Sequence, residues 1–333
     1  MKEFQLTLDD FLDRTNLIQT DNCYSKTITI GETCAKLNLY FRGYLSEMIL
    51  GAFLHRDEDN APYQISIYLI SDFEVLLSHL QKHLPPMQIE KPLEFRITFP
   101  YKVFLCRSQG QIYVFDTSKS KGYIFLNKTS SLDLRSYVTP FRLMMSWIIN
   151  EVGGELIHAS AISRNGRVLV ISGEKGSGKS TLALASGLYG SDILSDDAVA
   201  MIGERAYAIY SRAKIDANNI YTEQLLEHSF DLMSTQASKK IFPLSSFGPK
   251  FVCSGKVSSL IIPTRSNIAK LLWDKSNNLR ESFVSNSLRE IFGGDSDDVS
   301  RLNNLVDTYG LVSFETSTNM QSNLEVLYGL LEL

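Results

Sequence analysis

Residues 173 to 180 read Gly-Glu-Lys-Gly-Ser-Gly-Lys-Ser and fit the spacing G-x-x-x-x-G-K-[ST] without a gap; Thr181 follows. Those residue types at that spacing can hold a run of phosphates. Gly173, Gly176 and Gly178 let successive backbone N–H groups turn inward and form an anion nest. Glu174, Lys175 and Ser177 supply further N–H groups between them. A helix beginning after Gly178 would aim its positive end at the same anion. Lys179 would reach the β and γ phosphates, and the Ser180 hydroxyl would hold Mg²⁺. With Thr181 closing the stretch, the pattern specifies a nucleoside triphosphate and its metal. It does not say what is done with them. No guanine-reading N-K-x-D sequence follows downstream, so the GTPase reading is weak.

Asp196 and Asp197 come next, the first of them 17 residues after Lys179. One carboxylate can hold Mg²⁺ while the other accepts the proton of an attacking hydroxyl. Neighbours on a strand point opposite ways, so both serve one site only if the strand breaks there. The elements that must position these residues are legible. Arg167–Ser172 is a strand running into the glycine loop, Thr181–Leu188 a helix, and Asp192–Ser195 a strand ending at the aspartates. In a parallel sheet that strand end lies beside the loop. Upstream, Thr139-Pro140 reads as a helix start with proline at the first position, running to Ile149 and stopping at Gly153-Gly154. Glu155–Ser163 is expected as one strand, joined to Arg167–Ser172 through Asn165-Gly166, a hairpin signal. Downstream come strands at Ala206–Ser211, Lys256–Ile262 and Leu311–Glu315, a polar helical region over 276–308, and a terminal helix Met320–Leu331. Gly293-Gly294 with Asp295, Asp297 and Asp298 reads as a loop within that polar region.

Three stretches carry a family resemblance: Ile157-His158-Ala-Ser-Ala-Ile162, the loop Gly173–Thr181, and Ile193-Leu-Ser-Asp-Asp-Ala-Val199. Together they resemble the catalytic core of HPr kinase/phosphorylase, a family related in fold to phosphoenolpyruvate carboxykinase. The spacings agree too, with His158 lying 15 residues before Gly173. The resemblance covers about 155–200 closely and extends loosely to about 265, where Lys239-Lys-Ile-Phe-Pro-Leu244 looks like a basic-apolar segment of such proteins. It does not reach the first 135 residues. It implies transfer of the ATP γ-phosphate to a serine hydroxyl. Lys179 would bind phosphate and Ser180 Mg²⁺. Asp196 would be the general base, Asp197 a metal or base-orienting partner, and His158 would stand at the edge of the site. The I-R-G-x-G signature that HPr kinases carry after the core is absent. The chain therefore looks more like the stand-alone HPr-kinase-like proteins of peptide natural-product pathways. Some of those, in lasso-peptide clusters, phosphorylate a serine of a precursor peptide. Neither the reverse phosphorylase reaction nor HPr as substrate is expected.

Two other readings compete with a peptide or protein serine kinase. One is a small-molecule hydroxyl kinase with a closed pocket; the other is a nucleotide-binding regulator with little turnover. Arg212, Lys214, Lys239, Lys240 and Arg265 read as solvated charges, with Arg212 and Lys240 singled out for phosphate or an acidic substrate.

The rest of the chain bounds the answer. With 333 residues, 44% of them apolar and 21% charged, two globular domains are expected. The fold class expected is α/β. A strand-rich α+β N-terminal domain over 1–137 would serve substrate recognition or dimer contacts, and a phosphate-loop catalytic domain would span 138–333. Alternating strands are expected at Lys26–Ile30, Ala35–Arg42, Gln64–Ile70, Glu94–Phe99, Val103–Arg107, Gln111–Phe115 and Gly122–Leu126, with one helix at Phe73–His83. The net charge of −4 argues against a charge-driven nucleic-acid binder. Cys23, Cys34, Cys106 and Cys253 stand far apart, as free thiols of a reducing compartment would, and not at zinc spacing. The acidic start Met1–Asp10 is unlike a signal peptide, and no apolar run approaches about 20 residues. The expectation is a cytoplasmic protein without a membrane partner, with homo-oligomer formation left open.

Overall fold

The computed structural model describes residues 24–40, 44–57, 60–70, 74–76, 78, 93–98, 101–106, 110–127, 137–219, 239–272, 277–290 and 296–332. The protein is mixed α/β and divides into two compact units. The first holds the chain up to Ile28, Thr33–Leu50 and the residues from His55 to 133; the second holds Thr29–Glu32, Gly51–Leu54 and the residues from 134 onward.

Among the described residues the first unit holds seven strands: β1 (Tyr24–Ile30), β2 (Thr33–Leu39), β3 (Tyr63–Ile70), β4 (Leu93–Thr98), β5 (Tyr101–Cys106), β6 (Gln111–Asp116) and β7 (Lys121–Asn127). Their order in the sheet is β1-β2-β3-β7-β6-β5-β4. β4 to β7 form an antiparallel meander, while β2, β3 and β7 pair in parallel. All seven strands expected from alternation are present. Of the expected helix Phe73–His83, residues 74–76 and 78 are helical; His79 and His83 lie outside the described residues, as does Cys23.

The second unit carries β8 (Gly154–Ile157), β9 (Ala159–Arg164), β10 (Arg167–Ser172), β11 (Asp192–Ser195), β12 (Val199–Ile202), β13 (Arg205–Ala208), β14 (Arg212–Asp216), β15 (Lys239–Pro243), β16 (Ser254–Arg265), β17 (Lys270–Leu272) and β18 (Leu311–Thr316). The main path of its large sheet is β11-β9-β10-β16-β13-β12-β8, with β18 joined to β16 and β17 to β18. β14 and β15 form a separate ribbon. The sheet is mixed, and this corrects the expectation of a parallel neighbour: β9 lies between β10 and β11 and runs antiparallel to both. Two strands antiparallel to one neighbour run the same way as each other. The ends of β10 and β11 therefore still emerge at one edge, together with the beginning of β9.

Alternation along the buried strands divides the core in two. Leu169 and Ile171 face the helix Lys179–Leu188 and the terminal helix Met320–Glu332, through Leu182, Leu184, Leu324 and Leu327. Val168 and Val170 face the helices Asn277–Glu290 and Ser296–Tyr309, through Phe283, Leu302 and Val306. A strand covered on both faces reads as continuous apolar residues, as Val168–Ile171 does. Each fully buried Leu or Ile contributes about 1.5–3 kcal/mol.

Local expectations were met or revised for identifiable reasons. Asn165 and Gly166 both take positive φ (54° and 76°), the pairing that a tight hairpin demands, and Arg164 pairs with Arg167. The strand expected over Glu155–Ser163 is broken at His158, where the chain leaves β8, paired with β12, and enters β9. Pro140 is not the first helical residue. Phe141 lies in the left-handed region (φ 55°) and the helix is Arg142–Glu151, because Thr139-Pro140 forms a turn whose Pro140 carbonyl accepts from Tyr210 Oη at 2.9 Å. Asp297 and Asp298 lie in the first turn of the helix Ser296–Tyr309; Gly293, Gly294 and Asp295 lie outside the described residues.

Candidate functional site

The glycine loop joins β10 to the helix Lys179–Leu188. Gly173, Gly176 and Gly178 take φ of 141°, 84° and 98°, backbone that residues with a Cβ avoid. Gly178 caps the helix, and its carbonyl accepts from Leu182 N at 2.8 Å. The Lys179 ammonium is buried over the loop and donates to the carbonyls of Gly173 (2.6 Å) and Glu174 (3.0 Å). The Ser177 hydroxyl is buried and has no hydrogen-bond partner among the described residues. Glu174, Lys175 and Gly176 are exposed. Thr181 Oγ1 accepts from Asn219 Nδ2 at 2.9 Å, tying the chain beyond β14 to the helix start.

Asp196 and Asp197 follow the end of β11, and the chain breaks there as a shared site requires: Asp197 takes φ 72°, left-handed for a residue with a side chain. Such backbone persists only where surroundings hold it. Here the Asp197 carbonyl accepts from Arg142 Nη2 and lies 2.9 Å from His158 Nδ1. The carboxylate is ringed by cations. Lys214 Nζ stands 2.6 Å from Oδ2 and Arg142 Nη2 3.7 Å from it, while His158 Nδ1 is 3.6 Å from Oδ1. Thr139 Oγ1 donates to Oδ2 at 3.4 Å. Burial alone would push this carboxyl up; Lys214, Arg142 and His158 outweigh it and hold Asp197 well below the usual carboxylate range.

Asp196 is fully buried and differently served. Ser160 Oγ donates to Oδ1 at 2.7 Å, Lys214 N to Oδ2 at 3.2 Å, and the Ser180 hydroxyl also hydrogen-bonds to it. Burial first, and the Asp197 charge second, raise its pKa against those hydrogen bonds and Lys214. Two adjacent carboxyls are thus driven apart, one a fixed anion and one that binds a proton more readily.

The structure brings together Lys179, Ser180, Asp196, Asp197 and His158. It adds residues that sequence reasoning missed. Lys214, a solvated charge on sequence grounds, is the closest cation to Asp197 among the described residues. Arg142, Thr139 and Ser160 were not singled out. Their signals were faint: Arg142 is a lone cation opening an otherwise apolar helix, and Ser160 a lone hydroxyl in the buried run Ala159–Ile162. Of the two singled-out cations, Arg212 donates to the Tyr137 carbonyl at 2.8 Å. Lys240 pairs with Ile215, whose ribbon face packs into the core beside the loop helix. Arg265 Nη2 donates to the loop carbonyl of Gly176 at 3.2 Å.

Among the described residues, no group of three or more His, Cys, Asp or Glu side chains could hold a metal ion. Among the described residues, no helix is long and apolar enough to cross a membrane. No protein-family model and no curated protein matches this chain.

Proposed function

We propose that this chain is an ATP- and Mg²⁺-dependent kinase of the HPr-kinase-like type, with a phosphate-loop catalytic domain that phosphorylates a serine hydroxyl of a peptide or protein. The observation that carries the reading is the Asp196 carboxyl, raised in pKa and hydrogen-bonded to Ser180 of the glycine loop. A base for a hydroxyl must bind a proton readily and stand next to the phosphate donor. In the proposed step, a bond forms between the acceptor oxygen and the γ-phosphorus. The bond from that phosphorus to the β–γ bridging oxygen breaks. ADP leaves with the bonding pair, and the hydroxyl proton goes to Asp196. Catalysis is then positioning and charge neutralisation.

The loop residues fit a triphosphate. Gly173, Gly176 and Gly178 take the backbone a nest needs, and the Ser177 hydroxyl, without a partner among the described residues, is a donor that phosphate oxygens would accept from. They also fit Mg²⁺, which keeps waters and phosphate oxygens in its shell and needs few protein ligands. Ser180 would hold it, with Asp196 against its waters; the Asp197 carboxylate is already engaged by Lys214. When bound, the ion neutralises charge on the β and γ oxygens. His158 and Arg142 grip the Asp197 carbonyl and so fix the turn that aims Asp196.

The test is γ-labelled ATP with Mg²⁺, wild type against Asp196→Asn, offered serine-containing peptides and hydroxyl metabolites. Label in a peptide with wild type alone is expected, with loss of at least about 10³-fold in the variant. Label in a metabolite would replace the acceptor class. Tight ATP binding by both proteins with no transfer to any acceptor would favour a regulator.

A further inference from the structure

Lys239 opens β15, opposite Asp216 on β14. Residues two apart on a strand share a face, so Lys239 and Ile241 lie on the ribbon face of Lys214. That face meets the aspartates, with Lys214 Nζ 2.6 Å from Asp197. Lys239 is half-buried, and among the described residues no carboxylate pairs with it. A lysine seldom gives up water without a counter-ion. Its electrostatic neighbours are Lys214, Asp197, Asp196 and Lys175, and burial with Lys214 lowers its pKa. Lys175 belongs to the glycine loop, and Lys214, which shares the ribbon face of Lys239, reaches Asp197. On the phosphotransfer reading, a phosphoryl group leaves the loop for a hydroxyl beside Asp196, toward the ribbon face that Lys239 shares with Lys214. Lys179, by contrast, is held by two loop carbonyls.

We infer that Lys239 binds the γ-phosphoryl group: its ammonium takes γ-phosphoryl oxygens of the bound triphosphate and keeps them as the group passes from the loop to the acceptor. The ligand is a phosphoryl anion, and neither the nucleoside nor the α and β phosphates. This assignment rests on the phosphotransfer reading. Lys239 keeps its proton throughout, and the bonds made and broken are those of the step above.

The test is calorimetric binding, with Mg²⁺, of ADP and of β,γ-imido-ATP to wild type, Lys239→Met and Lys239→Arg, with melting temperatures as the folding control. One probe carries a γ-phosphoryl group and the other does not. Lys239→Met is expected to bind β,γ-imido-ATP at least about tenfold more weakly, with ADP affinity unchanged. Lys239→Arg is expected to stay within about threefold of wild type for both. Equal losses for the two nucleotides, or no loss for either, would overturn the assignment while leaving the kinase reading standing. Wild-type protein that bound neither nucleotide would overturn that reading, and the role of Lys239 with it.

Discussion

Asp196 and Asp197 are one peptide bond apart and both buried, yet among the described residues the ring of cations closes on Asp197. Two predictions follow at the scale of the residue. Removing Lys214 leaves Asp197 buried beside another carboxyl with Arg142 and His158 alone, and breaking a buried pair costs about 3–5 kcal/mol. Lys214→Met should therefore melt well below wild type at pH 7.5. The gap should narrow toward pH 4, as Asp197 in the variant becomes able to take a proton; a gap independent of pH would refute the pairing argument. Asp196 has the opposite sign. Its folded pKa lies above its unfolded value, so stability falls as pH rises from about 4 through the folded pKa. Asp196→Asn removes that fall. The variant should be inactive but melt higher than wild type at neutral pH, the gain vanishing near pH 4. A lower melting temperature at every pH would mean that the charge of Asp196 is structurally required. The sequence could announce neither behaviour. It gave the two carboxyls as equals, and the sorting comes from Ser160, Arg142 and Lys214, which lie 36, 55 and 17 residues away along the chain.

Elements that fold by local rules were legible. The seven strands of the first unit follow from alternation, and the β9–β10 hairpin from Asn165-Gly166. The break at His158 was not, because it reflects a change of partner from β12 to β10 and β11, set by pairing remote in sequence. Register separates Lys239 from Lys240 as well. The two differ by one residue, which on a strand is a change of face. Packing of the loop helix depends on a glycine with no sequence signal at all. A Cβ on Gly187 would stand 2.7 Å from two ring carbons of Phe247, itself in the core under the helix. Alanine favours helix by about 1 kcal/mol over glycine, but overpacking costs about 1–3 kcal/mol. Gly187→Ala should thus destabilise in chemical denaturation, and Gly187→Ala with Phe247→Leu should recover part of the loss. A single variant more stable than wild type would show that Phe247 gives way without strain.

At the scale of the whole molecule, chain order and spatial order disagree. An expected boundary at 137/138 assigns everything before it to another domain, yet Gly51–Leu54 belongs to the unit that holds the aspartates. Leu54 N donates to the Ile209 carbonyl at 3.0 Å, and Ser211 N to the Ala52 carbonyl at 2.8 Å. Phe53 is buried with its ring 5.2 Å from that of Tyr210. The path continues to the site. Tyr210 Oη holds the Pro140 carbonyl, Pro140 leads through Phe141 to Arg142, and Arg142 grips the Asp197 carbonyl. Burying a Phe and then truncating it costs about 3–5 kcal/mol, a large share of a typical folding free energy of about 5–15 kcal/mol. Residues 134–333 expressed alone lack this segment. They should melt with low cooperativity or aggregate, and nucleotide binding should be weaker than in the full chain. Phe53→Ala in the full chain isolates the cause: it should lower stability by those same few kcal/mol, with every residue of the candidate site still present. A 134–333 fragment that melted cooperatively at the full chain's temperature would show that the Gly51–Leu54 segment decorates the unit and does not hold it together.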